Sequence, residues 1–120
     1  MSNNITGLIL AGGRGSRMGE TDKGLQLFRG QPMVEHVLER FSPQVDVTII
    51  NANRNLPIYA AYGHRVVADG IEGFAGPLAG LHVGMLAAPT LLIATAPCDS
   101  PFLPLNLVAR LFDALTAAHA

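Results

Sequence analysis

The chain has 120 residues and a net charge of −1, with 49% apolar and 14% charged side chains. That is one domain at most, able to bury about two thirds of its unfolded surface and too apolar for disorder. The charge balance gives no electrostatic case for nucleic acid or an acidic membrane, and no apolar run approaches the ~20 residues of a membrane span.

Gly7–Leu10 predicts a short buried strand. It runs into a glycine-rich loop, Gly12-Gly13-Arg14-Gly15-Ser16-Arg17-Met18-Gly19, with Lys23 just beyond. Pro32–Phe41 predicts a helix: proline suits the first helical position, and Val34, Val37, Leu38 and Phe41 share one face. Val45–Ile50 is β-branched and strand-like, Leu56–Tyr62 reads as a weak helix ended by Gly63, and Arg65–Ala68 as a short strand. Gly70–Gly76 reads as a loop within the domain. Pro77–Ala88 predicts a helix and Thr90–Ala96 a strong buried strand. Leu105–Ala118 predicts a last amphipathic helix, with Leu107, Val108, Leu111, Phe112 and Leu115 on its apolar side. Such alternation argues for an α/β fold: a Rossmann-like, mostly parallel sheet with helices on both faces, in one domain over residues 1–120. No internal repeat, low-complexity run or interdomain linker is visible.

Glycine lets the backbone approach a ligand closely, and successive loop N–H groups can cradle anionic oxygens. Arg14, Arg17 and Lys23 would neutralise that charge, so a polyphosphate is the expected guest. Spacing opposes two familiar phosphate loops. A P-loop needs lysine directly after its last glycine, where Glu20 follows Gly19. A dinucleotide fingerprint needs glycine where Met18 stands, and an acid near the second strand's end, where Asn51-Ala52-Asn53-Arg54 has none. The glycine loop, Asn51–Arg54, Asp69–Gly76 and Cys98–Ser100 each follow a predicted strand. In open α/β sheets that edge binds ligands, so four distant segments are expected to converge on one crevice.

Leu10-Ala11-Gly12-Gly13, Arg17-Met18-Gly19 and Asp22-Lys23 together resemble the L-A-G-G…R-M-G…D-K signature of nucleotidyltransferases. Asn51-Ala52-Asn53-Arg54, Gly76-Pro77-Leu78-Ala79-Gly80 and Pro97-Cys98-Asp99-Ser100-Pro101 also resemble segments of the molybdenum cofactor guanylyltransferases, in the same order. The resemblance covers nearly the whole chain. It implies a nucleotide-diphospho-sugar transferase-like fold, GTP and Mo-molybdopterin as substrates, and Mg²⁺ as cofactor. It also implies a longer protein, with more strands and a cofactor-binding part after the last helix. The chain is therefore expected to be C-terminally truncated or a shortened relative, its fourth predicted strand exposing an edge.

Each candidate residue has an ordinary reading beside the functional one. Lys23 could hold the β- and γ-phosphates and stabilise charge on leaving pyrophosphate, or be a solvated surface lysine. Inside the signature the catalytic reading leads, with Arg17 beside it, and Asp22 is expected to order the turn. Asp99 directly follows a buried strand, where a lone carboxylate would need a partner. It is expected to hold Mg²⁺ together with substrate phosphates, against a rival role as a helix N-cap. Asp69 is a turn aspartate that the resemblance makes nucleotide-contacting. Asn51 offers amide groups for a base or ribose edge, or an Asx turn. Arg54 is a weaker phosphate candidate. Leu10, Ala11 and Gly12 would present backbone groups to a purine, Gly13 belongs to the Gly12–Gly19 run expected to lie along the phosphates, and Gly76–Gly80 is expected close by as a helix start that favours anions. Cys98 reads as a small buried hydrophobe, and His36, His64, His82 and His119 show no metal-ligand spacing.

The expected chemistry is transfer of GMP from GTP to the phosphate of Mo-molybdopterin, with pyrophosphate leaving. That acceptor is already ionised, so positioning and charge neutralisation suffice without a general base. A cytidylyltransferase for the same cofactor, a nicotinamide oxidoreductase and a non-catalytic nucleotide-binding remnant are the rivals. The Gly12-Gly13 pair and the downstream motifs favour the guanylyl branch. One cysteine excludes an internal disulfide framework and fits a reducing compartment, and Met1-Ser2-Asn3-Asn4 shows no basic flank of a signal peptide. A cytoplasmic monomer is expected, with no nucleic acid or membrane partner.

Overall fold

The run Ile5–Leu10 forms β1, one of the two inner strands of a four-stranded parallel sheet. The computed structural model describes residues 4–11, 22–68 and 77–118. β1 starts two residues earlier than the Gly7 expected from the sequence, because both added residues find partners. The Ile5 amide donates to Asp46 Oδ2 at 2.7 Å, and the buried Thr6 hydroxyl bonds Thr90 Oγ1 at 2.7 Å. A strand apolar on both faces must be covered on both, and β1 is. Gly7 lies under Phe41 and Val45 on one face, while Leu8 lies under Gly84 on the other.

A small hairpin absent from the sequence reading follows: β2, Leu27–Phe28, and β3, Gln31–Pro32. Its two turn residues, Arg29 and Gly30, both have positive φ, at 55° and 77°. That is the mirror-image turn whose twist suits a two-residue hairpin. Pro32 is the N-cap of α1, Met33–Phe41, which buries the expected Val34, Val37, Leu38 and Phe41. β4, Val47–Asn51, is displaced by two residues at its start. Val45 closes a short 3-10 turn over Ser42–Gln44, and Asp46 is spent on Ile5.

α2 is Leu56–Ala60, followed by Gly63 at φ 87°, then β5, Arg65–Val67. α3 is Pro77–Ala87 and β6 is Leu92–Pro97. The strand order β5-β4-β1-β6 places β6 at an edge among the described residues, as expected for the fourth long strand. It is not the fully buried strand the sequence suggested. Ala94 and Ala96 are buried on the α1 face, while Thr95 and Pro97, on the α3 face, are exposed. The reason is that α3 packs over β1, β4 and β5.

α4, Leu107–Ala118, begins two residues late, with the Val108 amide donating to Gln44 Oε1 at 2.8 Å. Val108 is buried, but Leu111 and Leu115 remain 48% and 41% exposed. Of their expected apolar face, only Leu107, Val108 and Phe112 meet the core.

Candidate functional site

The pairing register brings the strand ends into one line. Leu10 lies opposite both Asn51 and Pro97, and Asn51 lies opposite Val67. Ala11, Ala52, Ala68 and Cys98 therefore leave the sheet along the same edge. Two backbone bonds continue past it: Ala11 N–H to Asn51 O at 2.8 Å, and Ala52 N–H to Val67 O at 3.0 Å. From β1 the sheet grows toward β4 and β5 on one side and β6 on the other. This reversal is the topological switch point at which such sheets bind ligands. The convergence expected from the sequence is thus present wherever the segments are described.

Lys23 opens a short 3-10 helix, Lys23–Leu25. Such a turn is weak alone, and Asp22 caps it as expected. Asp22 Oδ1 accepts from Gly24 N–H at 3.1 Å and from the Tyr59 hydroxyl at 2.7 Å, and Oδ2 accepts from Asn55 Nδ2 at 3.0 Å. Gly24 is pressed against the neighbouring strand end. A Cβ there would stand 2.6 Å from Tyr59 Oη and 3.2 Å from Cys98 Sγ. The turn carrying Lys23 therefore lies across the residue that precedes Asp99.

Electrostatics agree with this placement. Burial pushes the Cys98 thiol up to about 12; Asp99 and Asp22 push the same way, opposed by its backbone hydrogen bond and by Lys23. The candidates Lys23 and Asp99, with the turn residue Asp22, thus act on one sulfur from two segments. Cys98 is the inert buried residue expected.

One expectation fails. Asp99 is exposed, not buried, so no internal partner is needed to offset lost hydration. Its rival role fails as well, since α4 starts only at Leu107 and Gln44 meets its amide end.

Asn51 lies on the other face of the sheet edge. Its side chain is 1% exposed, donates from Nδ2 to Val67 O at 3.2 Å, and abuts Gly80. Arg54 is half-buried in the turn after β4. Gly12, Gly13, Arg14, Arg17, Asp69 and Gly76 lie outside the described residues. Tyr59 and Asn55 are the members the sequence reading missed. The available signal was a tyrosine on a short helix between two strands, since a buried phenol needs a partner for its hydroxyl.

The family model for the MobA-like NTP transferase domain matches residues 7–120. The chain belongs to that family. It is 58% identical to the molybdenum cofactor guanylyltransferase of Ralstonia pickettii (strain 12J) over 119 residues, 99% of this chain and 58% of that protein. The chain thus spans under two thirds of the length of the curated relatives it matches. The fold recurs in molybdopterin-guanine dinucleotide biosynthesis protein A of Archaeoglobus fulgidus, with TM-score 0.68 and 24% identity, covering 94% of this chain and 56% of that one. It recurs also in CMP:2-keto-3-deoxy-manno-octonic acid synthetase complexed with CTP, with TM-score 0.74 and 20% identity, covering 98% of this chain and 49% of that one. These identities speak for the fold alone, and the nucleotide-transferase-like α/β architecture is the one the sequence implied.

The Cys98 thiol gives this MobA-like domain a testable alkaline weakness. Its folded value is raised above the ordinary 9.0, to about 12. The folded state then keeps a proton that the unfolded state loses, so stability is intact below pH 9 and is lost as pH rises toward 12. Each pH unit in that window removes up to about 1.4 kcal/mol. Tyr62, raised to about 12 by burial and by its bond to Glu35, adds to the loss at higher pH. Urea midpoints should fall between about pH 8 and 10, and Cys98→Ser should flatten that fall. An unchanged fall in Cys98→Ser would assign it elsewhere.

Proposed function

We propose that this domain binds GTP at the C-terminal edge of the sheet and transfers GMP to the phosphate of Mo-molybdopterin. The observation that carries the reading is the meeting of the Lys23 turn with the Cys98–Asp99 turn, at the edge where β1, β4 and β6 end in register. The guanylyltransferase relatives supply the choice of nucleotide and acceptor.

In this reading Leu10, Ala11, Gly12, Asn51 and Asp69 form the nucleoside side, and Gly13 lies with the phosphates. Asn51 acts from beneath, its buried amide holding the end of β4 against β5 and α3. Lys23 and Arg17 hold the phosphates and neutralise charge as it moves onto the leaving group. An ionised phosphate oxygen of the acceptor attacks the α-phosphorus in line. The bond from that phosphorus to the oxygen bridging to the β-phosphate breaks, and pyrophosphate leaves with its electron pair. No side chain must remove a proton, which suits a site whose cysteine is held neutral.

Among the described residues no group of three or more His, Cys, Asp or Glu is placed to hold a metal ion. The exposed Asp99 carboxylate still fits Mg²⁺, which is commonly bound by one or two carboxylates plus substrate phosphates and retained waters. Bound there, Mg²⁺ would supply charge neutralisation at phosphate oxygens. The domain is further proposed to work as a cytoplasmic monomer, without nucleic acid or membrane partners.

Calorimetric titration with GTP, CTP and ATP, each with and without Mg²⁺, tests the reading. GTP should bind at least tenfold more tightly than CTP or ATP, and only with Mg²⁺. Preference for CTP would move the domain to the cytidylyl branch. No nucleotide binding by folded protein would overturn the reading for this chain.

A further inference from the structure

α2 is only five residues long, starts from Asn55 at φ 57°, and contains Pro57. Its intrinsic helix stability is therefore low. Its side chains nevertheless anchor it at two places. The Tyr62 hydroxyl, just beyond its end, donates to Glu35 Oε2 on α1 at 2.7 Å. Tyr59, which is fully buried, donates to Asp22 Oδ1 at 2.7 Å, beside the Asn55 bond to Oδ2. Asp22 thus takes three donors: two from the α2 segment and one from the Gly24 amide that follows Lys23.

We infer that Tyr59 and Asn55 are positioning residues that grip Asp22 and so hold Lys23 across the Cys98–Asp99 turn. The inference rests on the proposed phosphate-binding role of Lys23 and names what aims it. Lysine is a point charge on a flexible stem, so its backbone must supply the aim. A three-residue 3-10 turn cannot do so alone. Asp22 joins both needs, closing the turn from within while α2 fixes it from outside. Gly24 makes the fit close, because any side chain there would strike the Tyr59 hydroxyl. A displacement of about 1 Å at such a group can cost about 100-fold in rate.

Tyr59→Phe deletes the hydroxyl and keeps the buried ring. Tyr62→Phe removes the same kind of bond from the same segment without touching Asp22, and is the matched control. In GTP titrations with Mg²⁺, Tyr59→Phe should weaken binding about tenfold and Tyr62→Phe less than twofold. Adding Lys23→Ala to Tyr59→Phe should then cost less than it does in the parent chain. Equal effects of the two phenylalanine variants would overturn the inference while leaving the GTP reading in place.

A second readout needs no nucleotide. Cys98 is the sole cysteine, and the Gly24 turn covers it. Its modification by a thiol reagent should be at least tenfold faster in Tyr59→Phe than in Tyr62→Phe at equal thermal midpoint. Should GTP fail to bind at all, the proposed function falls, and the thiol rates still decide whether the clamp exists. Should Tyr59→Phe fail to fold, Asp22→Ala, which removes both acceptor oxygens, carries the same two measurements. Unchanged thiol reactivity and unchanged GTP affinity in that variant would overturn the inference.

Discussion

Asp99→Asn should lower the proposed guanylyl transfer about 1,000-fold and leave the thermal midpoint where it was. The two halves of this expectation come from the same observation. Asp99 is exposed in the turn after β6 and caps no helix, so the fold gains little from its charge. Asparagine keeps the shape and one acceptor oxygen but loses the anion that a divalent cation requires. The proposed Mg²⁺ dependence of GTP binding should disappear with the activity, which separates a lost metal contact from a misplaced acceptor. A structural marker accompanies both. Asp99 pushes the Cys98 thiol upward, so its removal should lower the pH at which Cys98 is alkylated. Turnover within tenfold of the parent would remove Asp99 from the metal role. A changed midpoint would instead mean that the turn itself depends on the carboxylate.

The parts of the fold legible in the sequence were those where pattern and packing ask for the same thing. α1 shows this: Val34, Val37, Leu38 and Phe41 repeat at helical spacing, and all four are buried. The strand ends were legible for a related reason, since an apolar run stopping at glycine, asparagine or proline fixes where the sheet edge lies. The misses arose where a long-range partner decided the outcome. β1 extends to Ile5 because Asp46 and Thr90 accept what the strand offers, and neither is visible locally. α4 was overread because Leu111 and Leu115 fit the period, although no described element covers them. The Arg29-Gly30 hairpin was hidden because its strands are two residues each, too short for any periodicity.

In the site, residue types were easier to read than their surroundings. Lys23 and Asp99 lie on adjoining turns, with Gly24 against Cys98. That Asp99 is exposed and Asn51 buried depends on how far α3 extends over the sheet, which no single motif encodes. Tyr59 was missed because its contribution is one hydroxyl at the bottom of a core, reaching across to Asp22.

Gly80→Ala should destabilise the domain by about 2 kcal/mol, although alanine is the better helix former by about 1 kcal/mol. A Cβ at residue 80 would run into Asn51 Oδ1 and stand 2.9 Å from both Asn51 Cγ and Leu10 Cδ2. Leu10 can swing its methyl aside, but Asn51 is buried and tied to Val67 O, so it cannot retreat without losing that bond. Breaking it costs about 1 kcal/mol, and the alternative is to lift α3 off the sheet. The thermal midpoint should drop by roughly 5–10 °C. GTP binding should weaken too, because Leu10 and Asn51 are the last strand residues before the glycine loop and the Ala52 turn. Asn51→Ala provides the decisive comparison. If the clash is the cause, the double variant Asn51→Ala/Gly80→Ala should be more stable than the sum of the single losses by about 1 kcal/mol. Strict additivity would mean that Gly80 is needed for some reason other than room for Asn51.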